Sequence, residues 1–161
     1  MKILHIITSL KIGGAESALC NFLEHDANNN CSHRVLYFYA GPNLERLKNL
    51  KFETKQITGI LSPYDPIAFL SILNEIRKYK PDIIHAALWS ATIIGRLAGS
   101  LFRIPVICDI HGDCSHHGKL RNYIDRFTIR FVKHFVPVAP SVKDSFVKTF
   151  GPRNNISVIN N

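Results

Sequence analysis

Short apolar runs of β type alternate along this chain with helical patterns, and few folds accept that order. Strand, helix, strand repeated in this way is the pattern of a parallel sheet covered by helices on both faces. The first run, Ile3–Thr8, is continuously apolar, as expected of a strand buried on both sides. Gly13 and Gly14 make a turn, and 15–26 reads as a helix with Ala15, Ala18, Leu19, Phe22 and Leu23 inward. Further strands are predicted at 34–39, 53–57 (a weak edge), 82–86, 105–109, 135–138 and 155–159, and a short helix at 44–50. Asp65 and Pro66 supply a cap and a favoured first residue for a helix running to Lys80, where Pro81 stops it. Another helix spans 90–102, its Gly95 and Gly99 allowing close approach to the sheet. A long one spans 120–134, and one opens with Ser141 and Asp144 as a capping box and ends at Gly151. The expectation is one α/β domain over residues 1–161: a Rossmann-like, doubly wound, mainly parallel sheet in order 3-2-1-4-5-6.

A length of 161 residues gives room for a real core, and 46% hydrophobic with 20% charged residues excludes disorder. The formal net charge of +8 is spread over both halves of the chain, so it favours an anionic partner without pointing to a basic tail. Cys20, Cys31, Cys108 and Cys114 contain no CxxC pair and read as reduced thiols of a cytosolic protein. The most apolar window, 83–102, is broken by His85, Gly95, Arg96 and Gly99, so no membrane span is expected. The opening MKILHIITSL imitates a signal peptide, but His5 and Lys11 interrupt it and it makes a better first strand.

Open parallel sheets bind ligands outside the carboxyl ends of their strands. That rule selects four loops: 9–14, 40–43, 87–90 and 110–118. In the first, Gly13 and Gly14 let a phosphate approach the backbone at a helix start, or else simply make a tight turn. The motif is not GxGxxG, no acidic residue ends strand two, and no Walker lysine is present, which removes an NAD site and a P-loop. Glu16, in the first turn of the helix, either complements its dipole or accepts a hydrogen bond from a substrate hydroxyl. The loop with Asp109, His111, Asp113, Cys114, His116 and His117 holds metal-type ligands, but they crowd one loop in no tetrahedral spacing, and no metal is assigned. His111, just past strand five, is placed to hydrogen-bond a substrate, the alternative being a loop histidine satisfied by backbone. His5 and His85 read as core or near-core residues.

The helix at 120–134 has an apolar stripe of Leu120, Tyr123, Ile124, Phe127 and Phe131, expected inward. Lys119, Arg126, Arg130 and Lys133 form a basic stripe roughly opposite, either a solvated face or a dock for anionic lipid. No nucleic-acid motif accompanies the charge, so no nucleic-acid partner is expected.

The segments MKILHIITSLKIGGAE, KPDIIHAALWSA, IPVICDIHG and VAPSVKDSFVKTFGPRNNISVINN, in this order, resemble the N-terminal domain of family-four glycosyltransferases over essentially the whole chain. The resemblance implies one half of a GT-B fold, two Rossmann-like domains facing across a cleft. It implies transfer of a sugar from a nucleotide-sugar co-substrate, with retention, no cofactor and usually no metal. Lipid-linked or polysaccharide acceptors are the implied partners, and the inner face of the cell membrane the implied place of peripheral attachment. Gly13 and Gly14 match the glycine loop near the donor diphosphate, Glu16 a position facing the acceptor side, and His111 the histidine contacting the transferred sugar. His116 is grouped with them as a substrate-binding candidate. Two departures are the second histidine of an H-A-H stretch, here Ala87, and Gly112 where some relatives carry a hydroxyl residue. Relatives continue past Asn161 into a donor domain with an E-x7-E motif, so the chain is expected to act as one half and to be inactive alone. A sugar-nucleotide 2-epimerase half and a free-standing membrane-docking module are the alternative readings.

Overall fold

The computed structural model describes residues 1–26, 31–58, 65–114 and 118–160. Six strands form one sheet: β1 (Lys2–Ser9), β2 (Ser32–Tyr39), β3 (Glu53–Gln56), β4 (Ile83–Ala87), β5 (Val106–Ile110) and β6 (His134–Pro137). Their order is β3-β2-β1-β4-β5-β6, and every pairing is parallel. The expected order and architecture are therefore observed. Among the described residues five helices connect them and a sixth follows β6: α1 (Gly14–Asp26), α2 (Asn43–Asn49), α3 (Pro66–Tyr79), α4 (Trp89–Phe102), α5 (Lys119–Thr128, extended by a 3-10 turn Ile129–Phe131) and, last, α6 (Pro140–Phe150).

Alternation along β1 distributes the core to two faces. Leu4 and Ile6, with Leu36, Ile84, Ala86, Val106 and Cys108, pack under α3 and α4. Ile7, with Val35, Tyr37 and Ala87, packs under α1 and α2. The α3 ends follow the sequence signals: the Asp65 carboxylate accepts from the Ile67 amide at 2.8 Å, Pro66 opens the helix, and Lys80 closes it in a left-handed conformation. In α4 a Cβ on Gly99 would lie 2.1 Å from Val106 Cγ2, and one on Gly95 3.0 Å from Ala86 Cβ, so the two glycines set how closely the helix approaches the sheet.

Five expectations change. The helix predicted at 120–134 ends at Thr128 and tightens into the 3-10 turn. Its apolar stripe does not face the core: Leu120, Tyr123 and Phe127 are 66%, 72% and 52% exposed, while Asp125 and Thr128 are buried. The cause lies on α4, where Arg96 is buried and needs a counter-charge; it donates to Asp125 Oδ1 at 2.6 Å and to Thr128 Oγ1 at 3.3 Å. Leaving the buried guanidinium without a counter-charge would cost about 3–5 kcal/mol, and α5 meets it by turning Asp125 and Thr128 inward. On α1, Phe22 is 48% exposed, and Glu16 and Cys20 take inward positions. The α6 cap is Ala139, with no side-chain cap bond: Pro140, whose φ is preset for a first helical residue, starts the helix one position before Ser141. Residues 155–159 pair with β6 through one bridge, Phe135–Ile156, and not as a full strand. Asn155 and Ser157 both bond Phe135, but Pro137 has no N–H to give the next rung.

Candidate active site

Because all six strands run the same way, the loops after β1 and β5 open on the same edge of the sheet. Gly13 ends the β1–α1 loop. Beneath it the Glu16 side chain is folded back and buried, its Oε1 accepting from Ser9 Oγ at 2.5 Å. A Cβ at Gly13 would meet Glu16 Oε2 at 2.4 Å, so a glycine there is what lets the carboxylate lie under the loop. The β2–α2 loop is tied to this turn: the Asn43 amide donates to the Leu10 carbonyl at 3.1 Å and Asn43 Nδ2 to the Lys11 carbonyl at 2.6 Å. Gly14 opens α1, so the positive end of that helix faces the edge beside the buried Glu16.

His111 follows β5 directly. Its side chain is 13% exposed, and its Nε2 stands 3.6 Å from Asp109 Oδ2, beyond hydrogen-bond range. That nitrogen is buried and makes no hydrogen bond among the described residues. It opens on a cavity of about 390 Å³ with Leu88, Trp89, Arg96, Arg121 and Asp125. Trp89 Nε1 donates to Asp125 Oδ2 at 3.1 Å, and the Arg121 guanidinium lies 4.9 Å over the indole. Leu88, between β4 and α4, has φ 69° and ψ 150°, a region almost reserved for glycine, so the rim of this cavity holds a strained backbone.

Asp109 also accepts from His85 Nε2 at 2.9 Å. Burial would raise its pKa, but the charge of His85, the His85 hydrogen bond and the neighbouring His111 outweigh burial and hold the carboxyl well below its usual range. The metal-type residues of the next loop are used structurally. Asp113 accepts from Ser145 Oγ, the Cys114 amide donates to the same hydroxyl at 2.9 Å, and burial pushes the Cys114 thiol up to about 11. His116 and His117 lie outside the described residues. Elsewhere Asp26, Cys31 and His33 bring donor atoms within 4.8 Å of one another, but both ring nitrogens of His33 are already in hydrogen bonds.

Lys119, Arg126, Arg130 and Lys133 are all exposed; Lys119 and Arg126 share the outward side of α5 with its apolar residues and do not lie opposite them, Arg126 also donating to the Thr149 carbonyl at 2.7 Å, and Lys133 lies beyond the helix. The Arg130 guanidinium sits 4.0 Å over the Phe127 ring and 5.0 Å over Phe131. Among the described residues no helix is long and apolar enough to cross a membrane.

The structure brings the loops of Gly13, Glu16 and His111, singled out from the sequence, to one sheet edge and sets beside His111 four residues not singled out there: Trp89, Arg96, Arg121 and Asp125. A signal existed: Arg96 is the one charge inside an otherwise apolar helix, and Asp125 the one acid in a basic helix.

No curated protein matches the chain. Among solved structures, Anabaena Alr3699/HepE in complex with UDP superposes with TM-score 0.83 at 22% identity, over 100% of this chain and 44% of that one. A glycosyltransferase from Rickettsia africae gives 0.78 at 15% identity, over 98% and 42%. UDP-GlcNAc 2-epimerase from Methanocaldococcus jannaschii gives 0.69 at 15%, over 100% and 46%. The chain thus spans less than half the length of these proteins, and the likeness establishes the fold, that of a GT-B half. The family model Glycosyltransferase Family 4 matches residues 12–161, nearly the whole chain. With the glycine loop and the histidine after β5 on one edge of this sheet, the chain belongs to glycosyltransferase family 4.

Proposed function

We propose that this domain is the acceptor-side wall of a two-domain enzyme that moves a sugar from a nucleotide-sugar donor to a lipid-linked or polysaccharide acceptor, with retention and without a metal. The observation that carries the reading is the pairing, on one sheet edge, of the Gly13 loop at the start of α1 with the buried, unbonded Nε2 of His111. A diphosphate suits the positive end of α1, approached over Gly13 and Gly14. Glu16 acts by holding that loop through Ser9. His111 lines the cavity and presents its ring to the transferred sugar or to the acceptor hydroxyl, with Asp109 behind Nε2, and the cavity beside Trp89 and Arg121 admits the acceptor. HepE, whose complexes contain UDP and UDP-glucose, supports a uridine nucleotide as donor.

The test is transfer assayed with a protein carrying these residues joined to a donor domain. His111→Ala is expected to lower turnover about 10²–10⁴-fold with little change in melting temperature. A chelator should leave the rate unchanged. Residues 1–161 alone should not transfer efficiently, because orientation across a closed cleft supplies ~7–11 kcal/mol of the barrier reduction. Robust transfer by this chain alone, or full activity in His111→Ala, overturns the reading. The fold shared with UDP-GlcNAc 2-epimerases favours one alternative, epimerisation of the donor with no acceptor present. The same assay detects it as a new nucleotide sugar.

The outward face of α5 is read as the membrane contact, at the cytoplasmic side. Four cations stand beside exposed Leu120, Tyr123 and Phe127, the composition of an interfacial helix on anionic lipid.

A further inference from the structure

Three histidines on neighbouring strands form one hydrogen-bonded row on the α1 face of the sheet. His33 Nε2 bonds Asp26 Oδ2 at 2.6 Å, and His33 Nδ1 bonds His5 Nε2 at 3.0 Å. His5 Nδ1 bonds His85 Nδ1 at 3.0 Å, and His85 Nε2 bonds Asp109 Oδ2 at 2.9 Å. The row arises from strand register, with His5 directly beside His85 and His33 beside Ile3, two residues away on the same face. Phe22 and Phe52 close it laterally with tilted and edge-on ring contacts.

Four hydrogen bonds need four protons. Both carboxylates can only accept when ionised, and three neutral imidazoles carry one N–H each, three in all. The geometry is complete only when the row holds one proton beyond neutrality. We propose that His33, His5 and His85 are a buried proton relay that holds one proton between Asp26 and Asp109 and ends beside His111. The proton's place can change without any ring turning. If His85 Nδ1–H passes its proton to His5 Nδ1 while His5 Nε2–H passes its own to His33 Nδ1, the positive charge moves from beside Asp109 to beside Asp26. Each bond keeps one proton throughout, and none is gained or lost.

The groups facing the row favour the Asp109 end. From β1, His5 is fully buried, and its own protonation is driven well below the ordinary value by burial and then by the like charges of His85 and His33. For His85, burial opposes charging, but the charge and hydrogen bond of Asp109 on β5 outweigh it and raise the value. The other elements contribute Asp26 at the end of α1, the Cys31 thiol near it, and His111 past β5. The α1 residues Ala18, Leu19 and Phe22 and Val136 of β6 add no charge.

The test is the ¹⁵N ring spectrum of the chain at pH 6.5, where a free imidazole is half protonated. The wild type is expected to show one imidazolium in the row, mostly on His85, with His5 neutral. Asp109→Asn supplies the fourth proton from its own amide, which can donate to His85 Nε2. That variant should fold, keep all four bonds with three neutral rings, and lose the imidazolium. Three neutral rings in the wild type at pH 6.5, or an imidazolium retained in folded Asp109→Asn, overturns the relay. Should the asparagine variant not fold, the wild-type spectrum decides alone.

Discussion

Helices α3 and α5 both have amphipathic sequences, and they turn opposite kinds of face inward. α3 buries Ala68, Ile72, Leu73, Ile76 and Tyr79, and the one acid it buries, Glu75, is met by Arg34 and Lys55 at 3.2 and 2.7 Å. α5 buries Asp125 and Thr128 and leaves Leu120, Tyr123 and Phe127 in solvent. Periodicity is present in both. What differs is the surface each helix meets: α3 meets an aliphatic sheet face and brings its own paired acid, whereas α5 meets Arg96. A helix turns its apolar stripe to the core only where the core does not already hold a charge that the helix must neutralise.

The sharpest way to break this contrast is to remove the charge from either side. Asp125→Ala should cost about 3–5 kcal/mol in urea denaturation, because Arg96 is left buried without its partner. The double change Arg96→Met with Asp125→Leu should recover most of that loss. Ile72→Ala on α3 should cost about 2–5 kcal/mol through the cavity it leaves, and no charge replacement elsewhere should rescue it.

The outward face of α5 provides the next effect. Changing Lys119, Arg126, Arg130 and Lys133 to Gln should weaken binding to anionic vesicles by up to ~10³-fold, at ~1 kcal/mol per cation, measured by co-sedimentation. The apolar residues are available as well, so Leu120→Ser with Phe127→Ser should remove the part of binding that survives high salt, while stability stays within about 0.5 kcal/mol. Equal binding by all variants would leave this face as plain solvated surface.

A smaller effect tests the other contact of α4. Gly99→Ala places a methyl against Val106 and should cost about 1–3 kcal/mol, read as a lower melting temperature; the same change at exposed Gly118 meets no atom within 4 Å.

The smallest effect is with pH. His85 is raised in the native state, so its contribution is complete below the ordinary imidazole value and is lost as pH rises through the native one. His5 is lowered, so the unfolded chain takes up a proton there that the native chain refuses, and stability also falls as pH drops below about 6.5. Denaturation midpoints should peak near neutrality. Each group shifts the slope by at most ~1.4 kcal/mol per pH unit. Asp109, held low, adds a further loss at acid pH below the ordinary carboxylate value of 3.8. A midpoint that rises steadily from pH 6 to 9 would contradict the assignment of the extra proton to His85.

Much of the fold was legible because local signals and the global pattern agreed. Asp65 and Pro66, Lys80 and Pro81, and Gly151 mark helix ends by their own stereochemistry, and each stands at one. The largely apolar runs of β1, β4 and β5, each broken by one polar residue (His5, His85 and Asp109), fit a sheet buried on both faces, and parallel pairing with helical connections supplies it. That Gly13 and His111 share an edge was legible because a parallel sheet sends every strand's carboxyl end the same way. Trp89, Arg121 and Asp125 were not, because they join the cavity through side-chain contacts between α4 and α5, 36 residues apart in the case of the indole and the Asp125 carboxylate.

The amino-acid order by itself determined most of the elements, the strand order and the sheet edge shared by the Gly13 and His111 loops, since these follow from period, capping and connection length. The tertiary structure alone decided which face of α5 turns inward and that His5, His33 and His85 share one row. Both depend on which polar groups meet once burial has removed water. In that low-dielectric interior, pairing a charge or completing a hydrogen bond outweighs the preference of any single helix or strand.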